Sequence, residues 1–95
     1  MRFEIVISPE AVRDFKGPRA PDRRAIREAL EIYLRHEPTK TSKARVKRLR
    51  GLSRPQFRLR VEDFRIFYDV VGEEVQVIAI VAKASADEWL RKVGE

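Results

Sequence analysis

The sequence of 95 residues predicts an α+β domain: a small, twisted, mainly antiparallel sheet of four strands with helices packed on one face. Three observations lead to this class. Apolar and polar residues alternate at the start of the chain and again between residues 57 and 82. Apolar residues at helical spacing lie between these two regions, and a further helix-start pattern follows them. The predicted order is β-α-α-β-β-β-α. Because no repeat or linker interrupts it, we expect residues 1–95 to form one domain.

The first strand and the first helix are adjacent in the chain. The strand pattern is an alternation of three apolar residues: Phe3, Ile5 and Ile7. Ser8 is a favourable N-cap residue, and Pro9 suits the first turn of a helix. We therefore expect a short helix that starts here and ends at Gly17-Pro18.

The second helix has the clearest apolar stripe. It begins near Pro21-Asp22, and its apolar residues have i, i+3, i+4, i+7, i+8 spacing: Ile26, Ala29, Leu30, Tyr33 and Leu34. This spacing places them on one face, against a core. Pro38 ends the helix, and a basic linker of weak periodicity follows, from Thr39 to Pro55.

The stretch FRLRVEDFRIFYDV, residues 57–70, predicts a β-hairpin. A two-residue turn at Glu62-Asp63 would pair Arg60 with Arg65. One face of the hairpin then carries the apolar side chains Phe57, Leu59, Val61, Phe64, Ile66 and Tyr68. The other face, which we call the arginine face, carries Arg58, Arg60, Arg65, Phe67 and Asp69. Like charges directly opposite each other on a sheet destabilise it by about 0.2–1 kcal/mol, so the three arginines call for an anion.

The last third of the chain predicts one more strand and one more helix. Gly72-Glu73 is a tight-turn sequence, and the mostly apolar stretch Glu74–Ala82 suits a central strand. Ser85 and Glu88 have the spacing of a capping box. The helix that they start would contain Trp89, Leu90 and Val93.

Charge is concentrated in one segment. The net charge is +6, and nine of the 21 basic residues lie between Pro38 and Val61, where there is no acid. The other 12 bases are outnumbered by 15 acids. Such segregation is typical of a protein that binds a polyanion, although a solvated basic loop has the same composition. The absence of cysteine and the single histidine disfavour disulfides, thiolate metal sites and a serine–histidine triad.

The arginine face is expected to be open to solvent, because the helices would cover the apolar face. A rigid sheet with a cationic cluster and the nearby Phe67 ring suits RNA, since guanidinium groups bind phosphates and aromatic rings stack on bases. The simpler alternative is that Arg65 pairs with Asp69 and that the other arginines are only solvated.

The segment from residue 47 to residue 83 resembles the core of the RelE/ParE superfamily of toxins from toxin–antitoxin systems. The shared features are a basic K-x-L-x-G element at residues 47–51, a strand with alternating basic residues, an F-R-I-x-Y strand at residues 64–68 and a V-x-V-x-x-I strand at residues 75–80. The element order and length match over nearly the whole chain. The resemblance implies a RelE-like fold, which is similar to that of microbial ribonucleases, and a small antitoxin as partner.

RelE-type toxins cut mRNA in the ribosomal A site by attack of a 2′-hydroxyl on the neighbouring phosphate. The resemblance places Arg58 and Arg60 at the positions of two catalytic lysines, and Arg65 at that of the strand arginine. Arginine can hold a phosphate but does not readily release a proton. The sequence therefore predicts a phosphate clamp without a complete acid–base pair.

The C-terminal region departs from the family pattern. Ala84 and Leu90 stand where RelE carries a catalytic arginine and a base-stacking tyrosine. Lys83 and Trp89, one residue earlier, would substitute as proton donor or charge stabiliser and as stacking platform. Trp89 also has helical spacing with Val93, as a core residue would. The predicted RNA-binding residues are Lys43, Arg45, Lys47, Arg48, Arg50, Arg54, Phe67 and Trp89.

Three functions stay open from the sequence. The first is a ribosome-dependent mRNA endonuclease, the second a ParE-like inhibitor of DNA gyrase, and the third an RNA-binding relative that does not cut. For the first we expect mRNA, the ribosomal A site and a cognate antitoxin as partners. We expect no cofactor and no metal. With no signal peptide and no long apolar segment visible, we also expect a cytoplasmic location.

Overall fold

The computed structural model describes residues 1–93. Its elements are β1 (Glu4–Ile7), α1 (Pro9–Lys16), α2 (Ala20–Ala29), a π-helical turn (Leu30–Leu34), β2 (Val46–Arg48), β3 (Phe57–Val61), β4 (Phe64–Val71), β5 (Glu74–Ala82), a 3₁₀ turn (Lys83–Ser85) and α3 (Ala86–Val93). The α+β class is confirmed. In this part of the chain, no helix is long and apolar enough to cross a membrane.

The sheet has five strands in the order β1-β5-β4-β3-β2, one more than the sequence predicts. β1 is parallel to β5, and the other pairs are antiparallel. β5 lies inside the sheet, as expected from its apolar sequence. The extra strand, β2, comes from the basic linker. Periodicity does not reveal this strand, because it has only three residues, of which only Val46 is apolar and buried against its partner Leu59.

The predicted hairpin register is confirmed. Arg60 lies opposite Arg65, and Val61 lies opposite Phe64. Glu62 has a φ of 51°, the left-handed conformation that a tight two-residue turn requires. The apolar face of the hairpin packs against α2 and the π-helical turn that follows it, which contribute the buried residues Ile26 and Leu34. This packing forms the main core.

A β-bulge in β5 is locked by α1. Phe67 pairs with Ala79 but Tyr68 pairs with Val77, so Ile78 is the extra residue. The Ser8 hydroxyl donates to the Ile78 carbonyl at 2.9 Å and also accepts from the Ala11 amide at 3.1 Å, which confirms Ser8 as the N-cap. Because of the bulge, side chains three positions apart on β5 both face the core.

The last helix lies on the arginine face and not beside α1 and α2. Phe67 alternates onto this face and is completely buried there, since the Trp89 ring stacks on it. The expectation that all helices pack on one face is therefore wrong for α3. The physical reason is that an apolar ring between arginines needs a cover, and the small Ala79 beside it leaves room for one.

Candidate functional site

The three arginines share one face, as the sequence predicts. Arg60 and Arg65 are directly opposite each other, and Arg58 pairs with Phe67 two residue pairs further along the hairpin. Within residues 1–93, none of the three has a carboxylate within ion-pair distance. The cluster therefore carries uncompensated positive charge on a rigid sheet.

A cleft of about 290 Å³ lies between this face and α3. Four cationic side chains from four different elements line it: Lys47 of β2, Arg58 of β3, Arg65 of β4 and Lys83 of the 3₁₀ turn. The other lining residues are Leu49, Phe67, Ala86, Asp87 and Leu90. The cleft thus combines a cationic wall with an apolar floor, an arrangement that suits a phosphate attached to a larger group.

The charged forms of the two cleft arginines are disfavoured by burial and by neighbouring positive charge. Burial lowers the pKa of Arg58, and the nearby Arg60 and Arg65 lower it further. Burial also lowers the pKa of Arg65, with a further contribution from Arg60 and an opposing one from Asp63. Both shifts report a cost of holding positive charge here, and a bound anion would remove that cost.

Arg58 also has an unsatisfied donor. Its Nε atom is buried and has no hydrogen-bond partner in the part of the chain that the structure describes. Leaving a buried donor unpaired costs about 1–3 kcal/mol. A phosphate oxygen in the cleft would supply the missing acceptor, and this makes Arg58 the residue whose environment most directly indicates a ligand.

Arg65 is held in place by main-chain oxygens. Its Nη1 donates to the carbonyls of Glu62 and Phe64 at 3.0 and 2.9 Å. Arg65 as a whole residue is 6% exposed, and it lines the cleft. Because carbonyls carry no net charge, this support orients Arg65 without neutralising it.

Asp69 binds Arg54 and not Arg65, so the proposed Arg65–Asp69 pair is wrong. The Arg54 Nε donates to Asp69 Oδ2 at 2.6 Å, and the Gln56 amide donates to Oδ1 at 2.7 Å. The Gln56 side chain in turn accepts from the Val70 amide at 2.9 Å. These bonds fasten the segment before β3 onto β4, so Arg54 has a structural partner.

The two predicted stacking residues stack on each other. The rings of Phe67 and Trp89 are 4.7 Å apart at an interplanar angle of 13°. Phe67 is fully buried, so its ring is closed to a base, contrary to the open platform expected. Trp89 is half-buried and holds α3 on the sheet, which agrees with its helical spacing.

The remaining predicted residues divide between cleft and surroundings. Lys47 lines the cleft, whereas Arg48 lies on the opposite side of β2, 5.1 Å from the centre of the Phe57 ring. Arg45 sits over the Tyr33 ring at 5.5 Å. Lys43 and Arg50 are exposed and do not line the cleft, and Arg60 is exposed beside it.

Lys83 is anchored at the mouth of the cleft, where its amide donates to the Asp63 carbonyl at 2.7 Å. Asp87, four residues later, is the cleft residue that the sequence did not indicate. An acid in the first turn of a helix is common for electrostatic reasons alone, so only the docking of α3 reveals where this one lies.

No protein-family model and no curated protein matches this sequence. Solved structures do match. The archaeal RelE–RelB complex from Pyrococcus horikoshii OT3 superposes with a TM-score of 0.72 at 22% identity, covering 87% of this chain and 97% of that chain. This chain has the RelE-type fold.

Two further structures support the RelE-type fold. The toxin–antitoxin complex RelBE2 from Mycobacterium tuberculosis has a TM-score of 0.72 at 19% identity and covers 86% of this chain and 99% of that one. A variant of the E. coli toxin RelE with two arginine-to-alanine substitutions, in the free state, has a TM-score of 0.71 at 21% identity. It covers 98% of this chain and 95% of its own.

Proposed function

We propose that this chain is the toxin of a toxin–antitoxin pair and cuts mRNA on the ribosome. The RelE-type fold and the sequence resemblance support the toxin assignment. The observation that supports the nuclease is the cleft. Four cations line it from four elements, and none forms an ion pair with a carboxylate of residues 1–93: Lys47, Arg58, Arg65 and Lys83. Four converging cations in a concave site are the donors that a phosphodiester in its transition state needs.

The arginines stabilise negative charge on the phosphate and do not transfer protons. When a 2′-hydroxyl attacks the adjacent phosphate, negative charge grows on the equatorial oxygens of the phosphorane. Arg58 and Arg65 would hold these oxygens with preorganised donors, an effect that costs about 10²–10³-fold in rate when one donor is lost. Arginine stays protonated at neutral pH, so neither residue serves as the base.

The cleft recognises the backbone of RNA and not its bases. The Phe67 ring is fully buried, and Trp89 already stacks on it. The ribosome would therefore have to present the RNA, with proximity contributing a large part of the rate. This accounts for a toxin that needs translating ribosomes as its substrate platform.

An antitoxin is the partner that the charge distribution favours. The chain has a net charge of +6, and the four cleft cations lie on one face. Of the structures with the same fold, the archaeal one is a RelE–RelB complex and the mycobacterial one is a toxin–antitoxin complex. A small antitoxin with an acidic segment would cover this face and block the cleft.

The test is cleavage of mRNA in a reconstituted translation reaction, with mapping of the new 5′ ends. Lys47→Ala and Arg48→Ala are a matched pair, because the two residues are neighbours on β2 with the same charge and opposite faces. We expect wild type and Arg48→Ala to cut at A-site codons, and Lys47→Ala and Arg58→Ala to lose about 10²-fold or more. Equal cutting by all four proteins would contradict the cleft as the site.

Two other functions remain as outcomes of this experiment. Ala84 and Leu90 replace the family's C-terminal arginine and tyrosine, which favours a chain of the same fold without nuclease activity. If folded wild type cuts nothing on ribosomes, inhibition of DNA gyrase is measured next. Binding of ribosome-bound mRNA without cleavage would instead identify a non-cutting RNA-binding relative.

A further inference from the structure

The cleft contains one acidic side chain among its cations. Asp87 lies in the first turn of α3 and lines the cleft opposite the sheet. It also lines an adjoining depression of about 510 Å³ with Asp63, Lys83 and Ala84. Asp87 therefore stands where the cleft opens, next to the lysine of the 3₁₀ turn.

The Asp87 carboxylate is available for chemistry. Among residues 1–93 it forms no ion pair, although four cations line the same cleft. A carboxylate that served only to neutralise these cations would be expected to contact one of them. Its helix is fixed by the Trp89–Phe67 stack and by buried Ala86, so its position does not depend on such a contact.

We infer that Asp87 accepts the proton of the attacking 2′-hydroxyl and that Lys83 donates a proton to the leaving 5′-oxygen. This inference rests on the proposed nuclease function. The 2′-oxygen forms a bond to phosphorus as its proton passes to Asp87, and the bond between phosphorus and the 5′-oxygen breaks as Lys83 protonates that oxygen. The products are a 2′,3′-cyclic phosphate and a 5′-hydroxyl. Solvent then returns the proton from Asp87 to Lys83.

Charged groups from several elements face Asp87. Lys47, Arg58, Arg65 and Lys83 line the same cleft, and Asp63 lies in the adjoining depression. A general base in this cleft has to accept a proton within hydrogen-bond reach of the 2′-hydroxyl, and Asp87 supplies the one carboxylate that lines the cleft among residues 1–93. Proton transfer by a positioned carboxylate typically contributes about 10²–10⁴-fold to a rate.

Asp87→Asn separates this role from simple electrostatics. Removing negative charge from a cationic cleft should tighten binding of a ribosome-bound mRNA with a 2′-deoxy residue at the scissile position, which cannot be cut. If Asp87 is the proton acceptor, the same variant should cut normal mRNA about 10²-fold more slowly or worse in single-turnover reactions. Tighter binding with unchanged or faster cutting would overturn the inference.

The controls use neighbouring acids. Glu88→Gln changes the next residue, which pairs with Lys92 at 3.4 Å on the exposed side of α3. Asp63→Asn changes the carboxylate that shares the adjoining depression with Asp87. Both should cut at rates near wild type, and a large loss in Asp63→Asn alone would transfer the role to Asp63. Asp87→Glu should recover part of the activity, and Asp87→Ser retains a residue suited to a helix start if the Asn variant does not fold.

The pH dependence tests which kind of group accepts the proton. With a carboxylate acceptor, the single-turnover rate should be flat from about pH 6.5 to 8, because carboxylic acids as a class ionise below this range. If neutral Lys47 were the acceptor, the rate would rise about tenfold per pH unit over this range.

The cleavage assays also separate the two proposals. If wild type does not cut at all, both the proposed function and the inference about Asp87 fail. Suppose instead that wild type cuts mRNA, that Arg58→Ala does not cut it, and that Asp87→Asn still cuts it. In that case only the inference about Asp87 fails, and the proposed nuclease function stands.

Discussion

The Trp89 ring lies parallel to the Phe67 ring, with 4.7 Å between ring centres and 13° between ring planes. Together with buried Ala86, this contact attaches α3 to the arginine face and turns an open sheet surface into a cleft. It also brings Lys83 and Asp87 over the arginines. Trp89 therefore stabilises the fold, and the cleft forms only when its ring is in place.

Trp89→Ala should destabilise the protein and dismantle the cleft. A fully buried aromatic residue costs about 3–5 kcal/mol when truncated to alanine, and half-buried Trp89 should cost about 2 kcal/mol. Urea unfolding measures this loss. Val93→Ala, at an exposed position of the same helix, should change the free energy of unfolding by less than about 0.5 kcal/mol. Equal effects of the two substitutions would show that α3 does not depend on the stack.

Arg58→Met should make the protein more stable and less active. It removes a buried unpaired Nε and a positive charge near Arg60 and Arg65, while the methionine retains much of the aliphatic packing. Because Arg58 is only partly buried, we expect a gain of about 1 kcal/mol, measured by urea unfolding.

Sulfate should stabilise wild type through the same residue. At equal ionic strength, sulfate should raise the Tm of wild type more than chloride does, because it supplies acceptors to the cleft. Sulfate also stabilises proteins by exclusion from their surface. The measurement that matters is therefore the sulfate-induced rise in Tm of wild type minus that of Arg58→Met. The same sulfate shift in both proteins would contradict anion binding at Arg58.

Asp69→Ala should cost more than Arg54→Ala, although the two side chains form one ion pair. Asp69 is 3% exposed and also accepts from the Gln56 amide. Its loss leaves that amide without its acceptor, at about 1–3 kcal/mol. The Arg54 side chain is 63% exposed, so its loss should cost less than about 1 kcal/mol. Chemical unfolding of both variants gives the comparison, and the reverse order would be contrary to this account.

Tyr68 should make the protein less stable at high pH. Its hydroxyl donates to the Pro38 carbonyl at 2.6 Å in a fully buried position, and burial raises its pKa well above the usual value. The unfolded chain then loses the phenol proton first, from about pH 10. The contribution of Tyr68 to the free energy of unfolding is complete below that pH. Above it, this contribution falls by up to about 1.4 kcal/mol per pH unit.

Tyr68→Phe should lose that part of the alkaline fall, and Tyr33→Phe should keep it. Urea unfolding from pH 8 to 11 measures the difference between each variant and wild type, which cancels the contributions of lysines and arginines. At neutral pH the lost hydrogen bond should cost Tyr68→Phe about 0.5–1.5 kcal/mol. An unchanged alkaline slope in Tyr68→Phe would assign the fall to other groups.

Much of the sheet follows from local sequence patterns. A two-residue turn at Glu62-Asp63 sets the register of the hairpin, and alternation then decides which side chains share a face. The V-x-V-x-x-I spacing of β5 contains the bulge, because Val77 and Ile80 both face the core only if Ile78 is an extra residue. Periodicity of two or 3.6 residues is a property of the chain itself, so the sequence shows it directly.

By itself the sequence determined the core stripe, the hairpin and the shared face of Arg58, Arg60 and Arg65. Tertiary structure decided the rest. The strand β2 forms because Val46 packs against Leu59. Asp69 binds Arg54, which lies 15 residues away in the chain. Asp87 lines the cleft because the Trp89–Phe67 stack places α3 there. These contacts depend on complementary shape and charge between segments far apart in the chain, and no local period encodes which surface a helix will cover.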